Sequence, residues 1–333
     1  MPGPQPTYYA AVAPLVGEEH DMDTAIALTD VRKTFGTHTA VDALSFEIPR
    51  GTVFGLLGRN GAGKSTTIRM IMDIIRPDTG SIEILGRQMD GAVKDRLGYL
   101  PEERGLYPKM KVLDMLEFFG SVKGLKPAEA RRRALPWLER LELADWKDKK
   151  VEDLSKGMQQ KAQFITTVLN EPDVLILDEP FSGMDPVNQE IFRDLLLEIN
   201  ARGTTLIFST HVMESAERLC NQIALIDAGH AVLSGSLASI KEKFGSNTVQ
   251  LEFDGDGAFL ESIPGIENMH RSKRYVEINM TEGHDPQRLL EIVTGRVQVR
   301  RFQVMEPTLH NIFIDQVGPG SDQETGAAER TNA

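Results

Sequence analysis

The stretch Gly58-Arg59-Asn60-Gly61-Ala62-Gly63-Lys64-Ser65-Thr66 has the spacing G-x-x-x-x-G-K-[ST]. That pattern works only as the bend between a buried strand and the first turn of a helix, so it fixes local architecture as well as chemistry. Both flanks comply. Residues 51–57 read as a turn and a short buried strand, and residues 65–75 are apolar at helical spacing (Ile68, Ile71, Met72, Ile75) before a stop at Arg76-Pro77-Asp78-Thr79-Gly80. Glycines let a backbone wrap closely around phosphate because no Cβ blocks the approach and positive φ is open to them. The N–H groups of residues 60–65 are then free to point at a β-phosphate, reinforced by the positive end of the following helix. In this arrangement Lys64 supplies a point charge to the β- and γ-phosphates, and the Ser65 hydroxyl a ligand for Mg²⁺.

Whole-chain properties narrow the class of machine. The chain has 333 residues, enough for more than one domain. Its net charge of −12 argues against a broad nucleic-acid footprint, since an acidic surface repels phosphate backbones. The single cysteine, Cys220, has no internal disulfide partner and reads as a small core residue. No apolar run reaches membrane-spanning length and no secretory signal is recognisable, so a membrane role is expected to come through a partner. Residues 1–24 and 318–333 have the composition of a disordered leader and tail.

From residue 25 an antiparallel β-layer is expected, turning at Gly36-Thr37-His38. Phe35 in this layer is either a platform for a purine base or a core aromatic, and His38 a solvated turn residue. Residues 80–86 and 97–102 read as strands, and residues 112–122 and 127–143 as helices of an inserted subdomain spanning about 103–165. Arg131-Arg132-Arg133 on the second of these helices reads as a solvated face. Ser155 is placed to cap the next helix. The unbroken run Val174-Leu175-Ile176-Leu177 has the character of a strand buried on both faces, ending in Asp178-Glu179 at the carboxyl tip, where open α/β sheets bind ligands. Asp178 there suits Mg²⁺ coordination, and Glu179 a base that orients or deprotonates water. Asp185 and Pro186 start another helix, residues 204–210 form a further buried strand with His211 at its end, and residues 223–233 a closing hairpin.

Phe35, residues 58–66, Glu102, Leu154-Ser155-Lys156-Gly157-Met158-Gln159-Gln160-Lys161, Asp178-Glu179 with Met184-Asp185, and His211 follow one another in an order that resembles the ATPase domain of ATP-binding cassette (ABC) proteins. The resemblance covers about residues 26–244 and implies a P-loop NTPase cassette of the α/β class, with a mostly parallel sheet, an antiparallel β-layer and a helical insert. It implies ATP and Mg²⁺ as ligands, with Gly58, Arg59, Asn60, Gly61, Ala62, Gly63, Lys64, Ser65 and Thr66 around the phosphates and Phe35 on adenine. Ser65, Asp178 and Glu102 would serve the metal, Glu179 as catalytic base, His211 as γ-phosphate sensor, and Lys64 as the charge on the transferring group. Ser155, Gly157 and Gln160 would complete the site of a second copy across a head-to-tail, ATP-sandwiched dimer, with Asp185 signalling across the seam. The insert around residues 104–124 would meet an integral-membrane permease, placing the cassette on the inner face of the cell membrane and leaving no role for nucleic acid. Glu102 departs from the family's usual glutamine, and Met184 from its usual leucine. A soluble family member acting on ribosomes or DNA is the competing expectation; the single cassette, acidic balance and short insert weigh against it.

With the cassette taken as residues 25–245, residues 246–317 change rhythm. Their strand–helix–strand–strand–helix–strand order, with a helix at residues 258–263, suggests a small ferredoxin-like α+β domain followed by a final helix. This resembles the accessory domain of exporter-type ABC ATPases, including sodium- and drug-extruding systems.

Overall fold

A computed structural model describes residues 24–103, 105–244, 248–272, 275–281, 283–305 and 307–318. The expected leader (apart from residue 24), all but the first residue of the expected tail, and residue 104 of the insert lie outside the described residues. The chain divides into two compact units after Gly235.

In the first unit, β1 (Thr24–Phe35) and β2 (His38–Pro49) form an antiparallel pair turning between Phe35 and His38. They are followed by β3 (Val53–Leu57), α1 (Lys64–Ile71), β4 (Thr79–Ile84), a short α2 (Gly91–Asp95) and β5 (Leu97–Leu100). The insert supplies α3 (Val112–Val122), α4 (Pro127–Arg140) and α5 (Lys156–Val168). Then come β6 (Val174–Asp178), α6 (Pro186–Ala201), β7 (Thr205–Thr210), α7 (Met213–Leu219), β8 (Gln222–Asp227) and β9 (His230–Ser236).

The central sheet runs β5-β6-β7-β3-β8-β9, with β5 to β8 paired in parallel across it. Every residue of β3, β6 and β7 is buried, which is why these strands lack polar alternation. The register sets Asp178 opposite Ser209 and Leu57 opposite Thr210, bringing the acidic tip and the start of the phosphate loop to the same sheet edge. A second, three-stranded sheet, β2-β1-β4, is antiparallel and shares its core with β3 and α1 through Ile26, Leu44, Phe54 and Ile68. In the insert, Trp137 packs edge-on against Phe164, which meets Phe192 at 4.5 Å; Phe181 bridges Phe192 to Phe208 of β7. The arginine triplet lies mostly outward, Arg131 pairing with Glu117 and the other two with Glu129. Those two guanidiniums, by hydrogen bonding, hold the Glu129 carboxyl down at about 2.

Two expectations need correction here. Helix α1 stops at Ile71 rather than running to residue 75, because Asp73 adopts a left-handed φ of 54° and the amides of Ile74 and Ile75 fold back onto the Arg69 carbonyl. In the second unit, residues 258–262 form a 3-10 turn rather than an α-helix.

The second unit holds α8 (Leu237–Phe244), β10 (Thr248–Asp254), β11 (Ile266–Arg271), β12 (Val276–Met280), α9 (Pro286–Thr294), β13 (Gln298–Met305) and α10 (Leu309–Val317). Its antiparallel sheet has the order β11-β12-β10-β13, the ferredoxin-like arrangement, around a core of Val249, Leu251, Leu260, Ile278, Leu289 and Val293.

Candidate active site

The phosphate loop is shaped by what its glycines touch. Gly58 has φ 152°, and a Cβ there would lie 2.2 Å from the Ile226 carbonyl oxygen; one on Gly63, at φ 110°, would lie 2.5 Å from that of Ala40. The loop is thus clamped between β8 and β2. Gly229, in the β8–β9 turn, reinforces this by donating to the Ala62 carbonyl (3.0 Å) and accepting from the Asp42 amide (2.9 Å). The packing under the loop was not apparent in sequence, since it joins residues some 170 positions apart.

Lys64 is 6% exposed, and its ammonium donates to the carbonyls of Gly58 (2.9 Å) and Arg59 (3.0 Å). Burial lowers its pKa, opposed by the charges of Glu179, Asp178 and Glu102. Ser65 Oγ donates to Asp178 Oδ1 at 3.3 Å, so the phosphate loop and the acidic strand tip meet as expected. Asp178 is itself buried and takes a second hydrogen bond from the Ser209 hydroxyl.

Glu179 occupies a left-handed backbone position, φ 48°, unusual for a residue with a Cβ. Its amide donates to the carbonyl (3.2 Å) and hydroxyl (3.3 Å) of Ser209, which pins the turn. Its carboxylate accepts from Thr210 Oγ1 at 3.4 Å and meets His211 Nδ1 at 2.8 Å, with Lys64 Nζ 4.0 Å away. Since a carboxylate only accepts, this contact places the proton on Nδ1. Thr210 is held in turn by accepting from the Val212 amide at 3.1 Å. Ser209 and Thr210 hold Asp178 and Glu179 through these hydrogen bonds, a role the sequence reading, which took them only as the end of a buried strand before His211, did not give them. Their signal was the pair of hydroxyls ending the otherwise largely aliphatic buried run Leu206-Ile207-Phe208.

Glu102 lines a cleft with Tyr99, Arg69, Glu103 and Asp178. Phe35 is 49% exposed, with the Lys33 ammonium 5.6 Å from its ring centre, so it is not a core aromatic.

Ser155 caps α5 as expected, accepting from the Met158 amide at 3.3 Å. With Gly157, Met158, Asp185 and Asn188 it lines a groove that shares no residue with the Glu102 cleft. Asp185 caps α6, with Asn188 donating to both carboxylate oxygens and lowering its pKa. Gln160 does not line this groove. It is buried, because the helical turn carries it to the core side of α5, and Met158 stands at the groove instead. Cys220 is a buried core residue against Gly55, its thiol pushed up by burial.

Comparisons with known proteins show which family the chain resembles. A family model described as "ABC transporter" matches residues 41–182, and one described as "ATP-binding protein DrrA1-3-like, C-terminal domain" matches residues 235–317. The ABC transporter ATP-binding protein YhaQ of Bacillus subtilis, itself uncharacterized, is 43% identical over 293 residues, covering 88% of this chain and 98% of the relative. The linearmycin resistance ATP-binding protein LnrL of the same organism is 32% identical over 302 residues, covering 87% and 97%. A Nod factor export ATP-binding protein I from Ralstonia nicotianae is 36% identical over 302 residues, covering 88% and 94%. Among solved structures, an ATP-binding subunit of an ABC transporter superposes with a TM-score of 0.63 at 32% identity, covering 67% of this chain and 94% of that one. The dimeric bacterial ABC transporter cassette MJ0796 gives 0.59 at 25%, covering 64% and 98%. Subunits of this kind bind and hydrolyse ATP, pair as cassettes and work with membrane permeases. A chain that joins this phosphate loop to this acidic strand tip, and matches such relatives over nearly their whole length, belongs to the ABC transporter ATP-binding protein family.

Proposed function

We propose that the chain forms one half of each of two ATP sites in a homodimer that drives a separate integral-membrane permease in the outward direction. Among the described residues no helix is long and apolar enough to cross a membrane, so the permease would hold the cassette at the inner face of the cell membrane. No nucleic-acid partner is needed. The names of the Nod factor export and linearmycin resistance relatives support export. The first unit would be the cassette and the second its accessory domain.

The observation that carries this reading is the placement of Glu179. Its carboxylate stands at the sheet's carboxyl edge, oriented by Thr210 and His211 and beside Lys64. As general base it would take a proton from water attacking the γ-phosphorus, while Lys64 turns from the loop carbonyls to the phosphate oxygens. His211 would contact the γ-phosphate, and Phe35, exposed on β1, would stack on adenine. Ser155 and the amide-rich start of α5 at Gly157 would close over the γ-phosphate bound by the partner copy.

The donors available for Mg²⁺ are hard oxygens: the Ser65 hydroxyl and Asp178 carboxylate, with Glu102 on the same cleft as Asp178. Among the described residues no three His, Cys, Asp or Glu form a metal cage. That fits Mg²⁺, which is held by one or two carboxylates plus substrate phosphates. When bound, the ion neutralises charge on the β- and γ-oxygens.

The test is purification from detergent extract followed by a phosphate-release assay. Co-purification of a membrane subunit, with turnover abolished by Glu179→Gln, is expected. Recovery of ribosomal RNA or DNA instead, or full turnover by the variant, would overturn the reading.

A further inference from the structure

Glu102 stands in a cleft whose charge is unbalanced. Among the described residues three carboxylates line it, those of Glu102, Glu103 and Asp178, against the guanidinium of Arg69. Asp178 connects this cleft to the phosphate loop through Ser65 Oγ. On the loop side the Lys64 ammonium already feels the negative charges of Glu179, Asp178 and Glu102. The Tyr99 phenol in the cleft is pushed up to about 12, first by burial and then by the charge of Asp178. An amide at position 102 would keep an oxygen donor but remove a full charge from this field.

The charge matters because the ligand exists in two forms. Metal-free ATP brings about four negative charges, and its complex with one divalent cation about two. A field of like sign penalises the first roughly twice as much as the second, in proportion to charge. Asp178 and Lys64 are buried but Glu102 itself is exposed, so the difference is partly screened and depends on salt.

We propose that Glu102 makes nucleotide binding conditional on a divalent cation: its carboxylate, sharing the cleft with Asp178 beside the phosphate loop, turns away metal-free ATP and admits the metal complex. Glu102 is thus a specificity-determining residue between two forms of one substrate. This inference rests on the proposed ATP site at residues 58–66.

The test titrates the full chain with a fluorescent ATP analogue, in excess Mg²⁺ and in EDTA, for the unaltered protein and for Glu102→Gln, Glu102→Asp and Glu103→Gln. The expected result is that Glu102→Gln tightens metal-free binding about tenfold, so that the ratio of affinities with and without metal falls about tenfold. Glu102→Asp, which keeps the charge, retains the original ratio. Glu103→Gln moves it less than Glu102→Gln does. The tenfold difference should shrink as salt is raised. An unchanged ratio in Glu102→Gln, with binding in Mg²⁺ intact, overturns the inference alone. So does a variant that loses affinity in Mg²⁺ while metal-free binding stays unchanged, since Glu102 would then act only as the metal donor proposed above and not also as a charge barrier. Failure of the unaltered chain to bind the analogue in Mg²⁺ would overturn the ATP-site reading and this inference together.

Discussion

Glu179 and His211 form a hydrogen-bonded pair, Oε1 to Nδ1 at 2.8 Å, across 32 residues of chain. They meet because β6 and β7 are adjacent parallel strands in register, Asp178 beside Ser209, and each residue lies just beyond the end of its strand. A glutamine at 179 retains an acceptor for His211 but no longer takes a proton. Glu179→Gln should therefore bind ATP normally and lose at least about 100-fold in turnover, the usual share of a general base. Size-exclusion chromatography with ATP should show it accumulating as a dimer; phosphate release at the unaltered rate would rule the assignment out.

Lys64 is bound to the Gly58 and Arg59 carbonyls and is almost fully enclosed. Lys64→Ala removes both the phosphate charge and the donor for those carbonyls. Equilibrium binding should show ATP affinity falling about tenfold or more, equivalent to about 1.4 kcal/mol or greater.

The two sides of the phosphate loop should respond differently to a methyl group. At Gly58 it meets the Ile226 carbonyl at 2.2 Å, whereas at Gly61, with φ 81°, it meets open space. Gly61→Ala should lose only the left-handed strain, about 1–2 kcal/mol. Gly58→Ala must also displace β8 and should lose more. Urea midpoints of the two variants give the order, and equal losses would contradict the clamp.

Phe35 is half-exposed, so Phe35→Ala should leave stability within about 0.5 kcal/mol. If the ring stacks on adenine, ATP affinity falls several-fold while inorganic triphosphate binding is unchanged, and Phe35→Tyr restores it. Equal loss for both ligands would remove the adenine assignment.

Ser155 has one structural duty, accepting from the Met158 amide, and one proposed duty toward the partner's phosphate. Ser155→Asp keeps the cap but turns a negative charge toward that phosphate. It should melt within a few degrees of the unaltered protein and bind ATP at residues 58–66, yet fail to dimerise on ATP. Dimerisation at the unaltered concentration would show that α5 does not face the second nucleotide.

Much of the site was legible in the sequence because its parts are local. The phosphate loop, the buried run ending in Asp178-Glu179, and the Ser155 and Asp185 caps each need only a few consecutive residues, and each stands where the strand or helix pattern puts it. The short helices α2 and α7 were not legible, since five and seven residues offer too little periodicity to register. Gln160 entered only through the family resemblance, and the helical twist of α5 turns it to the core while Met158 lines the groove.

What the sequence determined by itself was the chemistry: which residues carry charge, hydroxyl or bare backbone, and which segments bury on both faces. Only the tertiary structure decided which of them meet. Ser209 and Thr210 acquire their roles from the register of β7 against β6, and Gly58 its constraint from β8 lying directly beneath it. Such relationships depend on strand order. Strand order is set by long-range packing of buried faces, which leaves no periodic trace in a single strand.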